Sequence, residues 1–144
     1  MAPDTFSAAE RAAMKAAAAE ARTAAKRAKL ADKAAAERQD CVDAIAALPD
    51  EDRSIVERLH EVVTAAGPDL APRTWYGMPA YARDGKVVCF VQPASKFGVR
   101  YVTLGFQDTA ALDDGDLWPT SYAVTAVDDR VGVRVAELVR RAMG

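Results

Sequence analysis

The sequence of 144 residues has little of what catalysis usually needs: one histidine, two cysteines and 7% aromatic residues. Cys41 and Cys89 stand far apart, without the CxxC or Cys/His spacing of zinc and redox sites, so both are expected to be small buried thiols. A glycine-rich phosphate loop is missing, and so is any Ser/His/Asp or Cys/His arrangement for nucleophilic attack. These absences argue against an enzyme, and a non-catalytic protein is the expectation.

Long apolar runs and targeting signals are missing as well. No apolar run approaches the roughly 18 residues of a membrane span. The start of the chain lacks the basic and apolar blocks of a secretory signal. With 51% apolar and 28% charged residues, the composition is that of a globular protein. We expect a cytoplasmic protein without membrane contact, built as one domain with an extension.

Alanine dominates the first part of the chain. Ser7 and Glu10 form a capping-box pattern, which predicts a helix from Ser7 to about Leu30. Asp32 is expected to break that helix or to cap a second one. The predicted organisation is therefore an alanine-rich helical extension over residues 1–31 and a globular domain over residues 32–144.

Basic side chains line one face of the predicted extension, at Arg11, Lys15, Arg22, Lys26, Lys29 and Lys33. Such a stripe could follow a phosphate backbone. Charge runs are usually solvated faces, however, and no aromatic residue interleaves with this one to stack on bases. A small ligand or a protein is therefore the favoured partner and nucleic acid the disfavoured one, while the oligomeric state stays open.

Two further helices are predicted before the residue pattern changes. The first carries Cys41 to Leu48 and ends at Pro49. The second begins at Asp50-Glu51-Asp52, whose carboxylates complement the helix dipole. Its apolar stripe is Ile55, Leu59, Val62 and Ala66, and Gly67-Pro68 supplies the stop.

The second half has the pattern of an antiparallel sheet. Asp84-Gly85 predicts a two-residue hairpin with Tyr81 opposite Val88, leading into a central strand over Lys86 to Gln92. Arg100 to Phe106 alternates as a strand, and Tyr122 to Thr125 reads as a last short one. Thr109 to Leu112 is predicted as a helical turn, and a closing helix should start at Asp128-Asp129. The fold class is α+β, with about four strands packed against helices.

The stretch from Trp75 to Tyr81 joins the helical and strand-like halves. Gly77 is expected to allow a bend there, and Pro79 to fix where strand pairing starts.

Aromatic side chains around this stretch and in the sheet offer apolar walls, and Arg100 and Lys96 offer charge. The candidate ligand-binding residues are Trp75, Tyr76, Met78, Tyr81, Arg100, Tyr101 and Trp118.

Two acidic groups could provide oxygen ligands for iron. The metal candidates are Asp113, Asp114 and Asp116 and, separately, Glu57, His60 and Glu61. An exposed turn and a boundary histidine on an amphipathic helix are the simpler explanations of these groups.

Residues 40–144 resemble the YdhG-like domain-of-unknown-function family of bacteria, through the string Tyr76-Gly77-Met78-Pro79-Ala80-Tyr81 and the order of elements around it. The resemblance implies a small α+β domain and a family in which some members are described as frataxin-like iron chaperones. It carries no catalytic residues and does not cover the alanine-rich extension.

The expected function is a non-catalytic binding or chaperone-like domain without a cofactor. The alternatives are an iron-binding chaperone resembling frataxin, and binding of a nucleic acid or a protein through the basic helix.

Overall fold

The computed structural model describes residues 6–144, which form four helices and one five-stranded antiparallel sheet. In chain order the elements are α1 (Ala8–Ala46), α2 (Asp50–Ala66), β1 (Ala71–Trp75), β2 (Met78–Arg83), β3 (Lys86–Gln92), α3 (Ala94–Phe97), β4 (Val102–Phe106), β5 (Ser121–Val124) and α4 (Asp129–Met143). The predicted α+β class is confirmed. Within residues 6–144, none of the helices combines the length and the apolar character that crossing a bilayer requires.

The first helix begins where the capping pattern places it but ends later than predicted. The Ser7 hydroxyl oxygen accepts a hydrogen bond from the Glu10 amide at 3.0 Å. The helix then continues through Asp32 to Ala46, so the predicted break at Asp32 is wrong. A single aspartate inside a helix costs well under about 1 kcal/mol, which the surrounding alanines offset.

The chain divides into two compact units, and the division falls inside α1. One unit ends at Ala35, and the other runs from Ala36 to Gly144, whereas the expected boundary followed residue 31. Every residue from Phe6 to Lys33 is exposed. The last turns of α1 belong to the second unit, where Cys41 and Ile45 are buried in its core.

The sheet is a meander, because each strand pairs with its neighbour in the sequence in the order β1-β2-β3-β4-β5. The strand over Lys86 to Gln92 is central, as predicted. The strand that the sequence does not predict is β1, which pairs with β2 across a two-residue turn at Tyr76 and Gly77. Both turn residues have positive φ, 52° and 75°, as a type I′ turn requires.

The segment from Trp75 to Tyr81 therefore belongs to a hairpin of its own. It is not simply a connection from the helical half to the hairpin at Asp84-Gly85. Trp75 pairs with Met78, and Thr74 with Pro79, so pairing with β1 includes the proline. Pairing of β2 with β3 begins only at Ala80. Because proline has no N–H to donate, Pro79 limits the ladder only on the side of β2 that faces β3.

The predicted hairpin at Asp84-Gly85 is present, with φ of 53° and 79°. Its register differs from the prediction by one residue: Tyr81 pairs with Cys89, and not with Val88. A bulge between Tyr81 and Ala82 causes the shift, since it sets an extra residue of β3 against β2.

The core lies between one face of the sheet and the helices. Alternation along the strands places Tyr81, Cys89, Leu104 and Val124 on this face, and all four are buried. The helices α2 and α4 pack against each other.

The buried face of α2 differs from the predicted stripe. In α2 the buried residues are Asp52, Val56, Leu59 and Val63, while Ile55, Val62 and Ala66 are only partly buried at its border. In α4 they are Gly132, Val135, Leu138, Val139 and Ala142.

The segments around β5 are an irregular turn before it and a capped helix after it. The predicted helical turn at Thr109 to Leu112 is an irregular turn instead. The Asp128 carboxylate accepts a hydrogen bond from the Val131 amide at 2.8 Å and so caps α4.

Candidate functional site

A cleft of about 740 Å³ opens where α2 begins, α3 lies, and the strands β4 and β5 meet the loops at their ends. Its apolar lining includes Ile55, Val102, Val124 and Val127. Its polar lining includes Glu51, Asp52, Arg58, Ser95, Arg100 and Thr125. The volume falls within the range of roughly 300–1,000 Å³ that ligand pockets occupy.

The buried carboxylate of Asp52 fixes one wall of the cleft. Asp52 is only 4% exposed, and its Oδ2 accepts a hydrogen bond from the Ser95 amide at 2.9 Å. Asp52 lies in the first turn of α2, and Ser95 lies in the first turn of α3, which follows Pro93. One carboxylate therefore satisfies a donor at the start of α3 and holds the two helices together.

Two arginines supply positive charge to the cleft, but they are not equivalent. Arg58 lies 3.2 Å from a Glu61 carboxylate oxygen and 3.8 Å from one of Asp129, so carboxylates already compensate its charge. Arg100 is exposed, and its guanidinium carbon lies 5.3 Å from the centre of the Tyr101 ring. Stacking on the ring orients this guanidinium while leaving its N–H donors available to an acidic group.

The turn at Tyr76 and Gly77 is tied to the cleft through α3. Lys96 Nζ donates to the Gly77 carbonyl oxygen at 3.2 Å, while Ala94 and Ser95 of the same helix line the cleft. Tyr76 is 80% exposed and has positive φ, a position that favours asparagine or glycine. A large exposed aromatic at such a position is not explained by the turn alone.

A second aromatic group lies on the sheet face opposite the core. The Trp75 ring centre is 5.0 Å from that of Tyr76 and 5.4 Å from that of Phe90. Phe90 in turn pairs with Gly105, over which its ring lies. Met78 is buried on the same face. Three of the predicted ligand-binding residues, Trp75, Tyr76 and Met78, therefore come together at one end of the sheet.

Tyr81 differs from the other candidates because it is fully buried. Its hydroxyl lies 2.7 Å from His60 Nδ1, so it joins β2 to α2 inside the core. Burial raises the pKa of Tyr81 well above its ordinary value and lowers the pKa of His60. Tyr81 is thus a structural residue and not part of a surface site.

The two thiols are buried as predicted. Burial raises the pKa of Cys41 to about 11 and that of Cys89 to about 12. Thiols held in this form are poor nucleophiles at neutral pH.

Neither predicted metal group is assembled. In residues 6–144, no set of three His, Cys, Asp or Glu side chains is placed to hold an ion. Asp113 and Asp116 line one cavity, while Asp114 lines another.

The second metal group is engaged in other contacts. Glu61 pairs with Arg58, Glu57 lies 3.9 Å from Arg53, and His60 is bonded to Tyr81. The two carboxylates are not available as metal ligands because helical spacing places each of them next to an arginine of the same helix.

Trp118 stands apart from the cleft. It is partly buried against the core between the cavities that the aspartates line.

Several residues of the cleft are not predicted from sequence. From the sequence, Asp52 is only one of the carboxylates that complement the helix dipole, and Ser95 is not singled out. The available signal for Asp52 is its place in the helix pattern: residues 52, 56, 59 and 63 share the buried face, so a carboxylate there needs a partner.

The fold and the cleft define the class of the second unit: an α+β domain with a ligand-sized pocket beside its sheet. No family model matches the chain, and comparisons with characterised proteins and with solved structures find no significant match.

Proposed function

We propose that the protein is a non-catalytic binding domain and that its ligand is a small organic molecule with an apolar body and an acidic group. The observation that carries the proposal is the cleft of about 740 Å³, with apolar residues and a ring-stacked arginine in one lining. Apolar residues of such a lining can contact the body of a ligand, while its charged and polar groups can fix the orientation of the ligand.

The charges of the lining assign the acidic group of the ligand to one side. Glu51 and Asp52 lie on the α2 wall and would repel it. Arg58 is shared between two carboxylates, whereas Arg100 makes only the ring contact with Tyr101 among its described interactions. We therefore propose that the acidic group binds at Arg100 and that the apolar body contacts Ile55, Val99 and Val127, which are partly buried or exposed in the lining.

The positions of the reactive side chains support a binding role over a catalytic one. Cys41, Cys89 and His60 do not line this cleft. The thiols are buried with raised pKa values, and the imidazole is engaged by Tyr81. The polar side chains that do face the cleft can orient a ligand through charge and hydrogen bonds.

The test is a nuclear magnetic resonance screen of the ¹⁵N-labelled protein against a library of small carboxylic acids. Binders should shift the amide signals of residues 94–102 and 124–127. Replacing Arg100 with Gln should weaken the binding of such a compound by about 10- to 100-fold, since hydrogen bonds to charged groups contribute about 1.5–3 kcal/mol.

The matched control is Arg130→Gln, which removes the same charge from an exposed arginine in the first turn of α4, outside the cleft lining. It should leave the affinity unchanged. Shifts that cluster elsewhere, or equal losses in the two variants, would contradict the proposed site.

Membership of the YdhG-like family stays a prediction that rests on the string Tyr76 to Tyr81 and on the order of elements around it. The exposure of Tyr76 beside α3 supports a role for this string in binding, since the turn geometry alone would favour a different residue.

A further inference from the structure

The basic side chains of α1 form a straight stripe on an exposed helix. At about 100° per residue, Arg11, Lys15, Arg22, Lys26, Lys29 and Lys33 fall within an arc of about 60°. Three of them recur every 11 residues, which is close to three full turns, so the stripe keeps its direction along the helix. From Arg11 to Lys33 it extends about 33 Å at 1.5 Å per residue.

Between Arg11 and Lys33, no acidic residue lies on this stripe. Glu10, Glu20 and Asp32 lie at least about 60° around the helix from its edges. The middle of the stripe is formed by four exposed basic residues, Lys15, Arg22, Lys26 and Lys29. The opposite face of the helix consists mainly of alanine. The positive charge is therefore concentrated along one line.

The remaining surface of this helix does not suit a lipid bilayer. Among the described residues of its unit, the large exposed apolar residues are Phe6, Met14 and Leu30. Phe6 precedes the helix, and Met14 and Leu30 lie about 160° apart around its axis. A helix that lies in a membrane interface needs a continuous face of such residues opposite its charges. An alanine face offers too little apolar area for that.

We propose that this stripe, defined by Arg11, Lys15, Arg22, Lys26, Lys29 and Lys33, binds the sugar-phosphate backbone of duplex DNA without sequence preference. Its length of about 33 Å is close to one turn of B-form DNA, at about 3.4 Å per base step. Short alanine side chains keep the helix slender, and a groove about 12 Å wide admits a helix. Since residues 7–40 contain no aromatic residue to stack on splayed bases, a duplex is the fitting form of nucleic acid.

The distribution of charge between the two units favours a contact on the stripe. Residues 36–144 contain 12 Lys and Arg against 17 Asp and Glu, a net charge of −5. The first 35 residues contain seven against four, a net charge of +3. The net charge of the second unit therefore disfavours binding of phosphates, whereas that of the first 35 residues favours it.

The experiment measures fluorescence anisotropy of a labelled duplex of about 20 base pairs with the full chain at several salt concentrations. Four to six phosphate contacts predict that log K falls against log salt with a slope of about −4 to −5. The double variant Arg22→Gln with Lys26→Gln should bind more weakly and reduce the magnitude of that slope by about 2.

The matched control is Arg27→Gln with Arg38→Gln, which makes the same change in net charge at exposed positions of α1 about 100° or more from the stripe. It should keep most of the affinity and the slope. Glutamine is a good helix former, so circular dichroism should show equal helix content in all three proteins.

Equal losses in the two double variants would overturn the proposal, because they would show a response to net charge and not to the stripe. No binding of the full chain at 50 mM salt, or tighter binding to a single strand of the same length, would also overturn it. So would binding to vesicles rich in phosphatidylserine with no binding to the duplex.

Discussion

Gly105 lies directly across from Phe90 in the sheet, and the aromatic ring occupies the space that a side chain at this position would need. A methyl group added at Gly105 would come within 2.6 and 2.9 Å of the two Cε atoms of that ring and closer still to its Cζ. The ring cannot move without disturbing Trp75, whose ring centre lies 5.4 Å away. The change Gly105→Ala therefore overpacks this face of the sheet.

Two opposing effects set the magnitude. Overpacking costs about 1–3 kcal/mol, and the lower half of that range applies because Phe90 is only partly buried. Alanine in place of a strand glycine otherwise stabilises by about 0.5–1 kcal/mol. Gly105→Ala should thus destabilise the wild type by up to about 1.5 kcal/mol and stabilise the Phe90→Ala variant by about 0.5–1 kcal/mol.

Urea unfolding followed by circular dichroism on the four proteins of this double-mutant cycle measures the coupling, which should be about 1–2 kcal/mol. Circular dichroism is preferred to fluorescence because Trp75 belongs to the perturbed group. A coupling below about 0.5 kcal/mol would refute both the pairing of β3 with β4 and the position of the Phe90 ring.

Three further predictions follow from local geometry. His60 is the one histidine of the sequence, so its ring signals in a proton nuclear magnetic resonance titration are unambiguous. Burial should lower the pKa of His60 below the ordinary 6.5. Because the folded protein then binds this proton less readily than the unfolded chain, stability should fall as the pH drops from 6.5 through the pKa of the folded protein. A measured pKa at or above 6.5 would contradict the burial of the ring. Cys41 and Cys89, with pKa values near 11 and 12, should react with a thiol reagent only after unfolding, and rapid modification of the native protein would count against their burial. Tyr76→Asn should raise the free energy of unfolding by about 0.5–1 kcal/mol because it relieves a left-handed backbone position, and a loss in urea unfolding would mean that the contact with Trp75 outweighs the strain.

Sequence patterns predict those elements whose causes are local. The capped start of α1 at Ser7, the turn at Asp84-Gly85 and the cap at Asp128 each depend on residues within a few positions of one another, and all three are found. The end of α1 and the irregular turn at Thr109 depend on wider context and are predicted wrongly.

The hairpin at Tyr76 escapes prediction because tyrosine is an unusual residue at positive φ and because Pro79 argues against a strand. Its turn becomes visible only when β1 and β2 are seen to pair. The bulge beside Tyr81 is likewise a property of two strands together, so no pattern within β2 alone reveals the shift to Cys89.

The cleft is the least predictable feature, since it is built from segments far apart in the sequence. Arg100 and Tyr101 are candidates from sequence because they combine charge and an aromatic ring. Asp52 and Ser95 are 43 residues apart, and their hydrogen bond exists only in the folded domain.

The order of the strands has a consequence for how the domain folds. In a meander each strand pairs with the one made just before it, and the pairings of β1 with β2 and of β2 with β3 close two-residue turns at a small cost in chain entropy. The packing of α4 against α2, in contrast, joins segments from the two ends of the second unit. The sheet can therefore pair early during synthesis, while Val135, Leu138 and Val139 complete the core only after the last helix has been made.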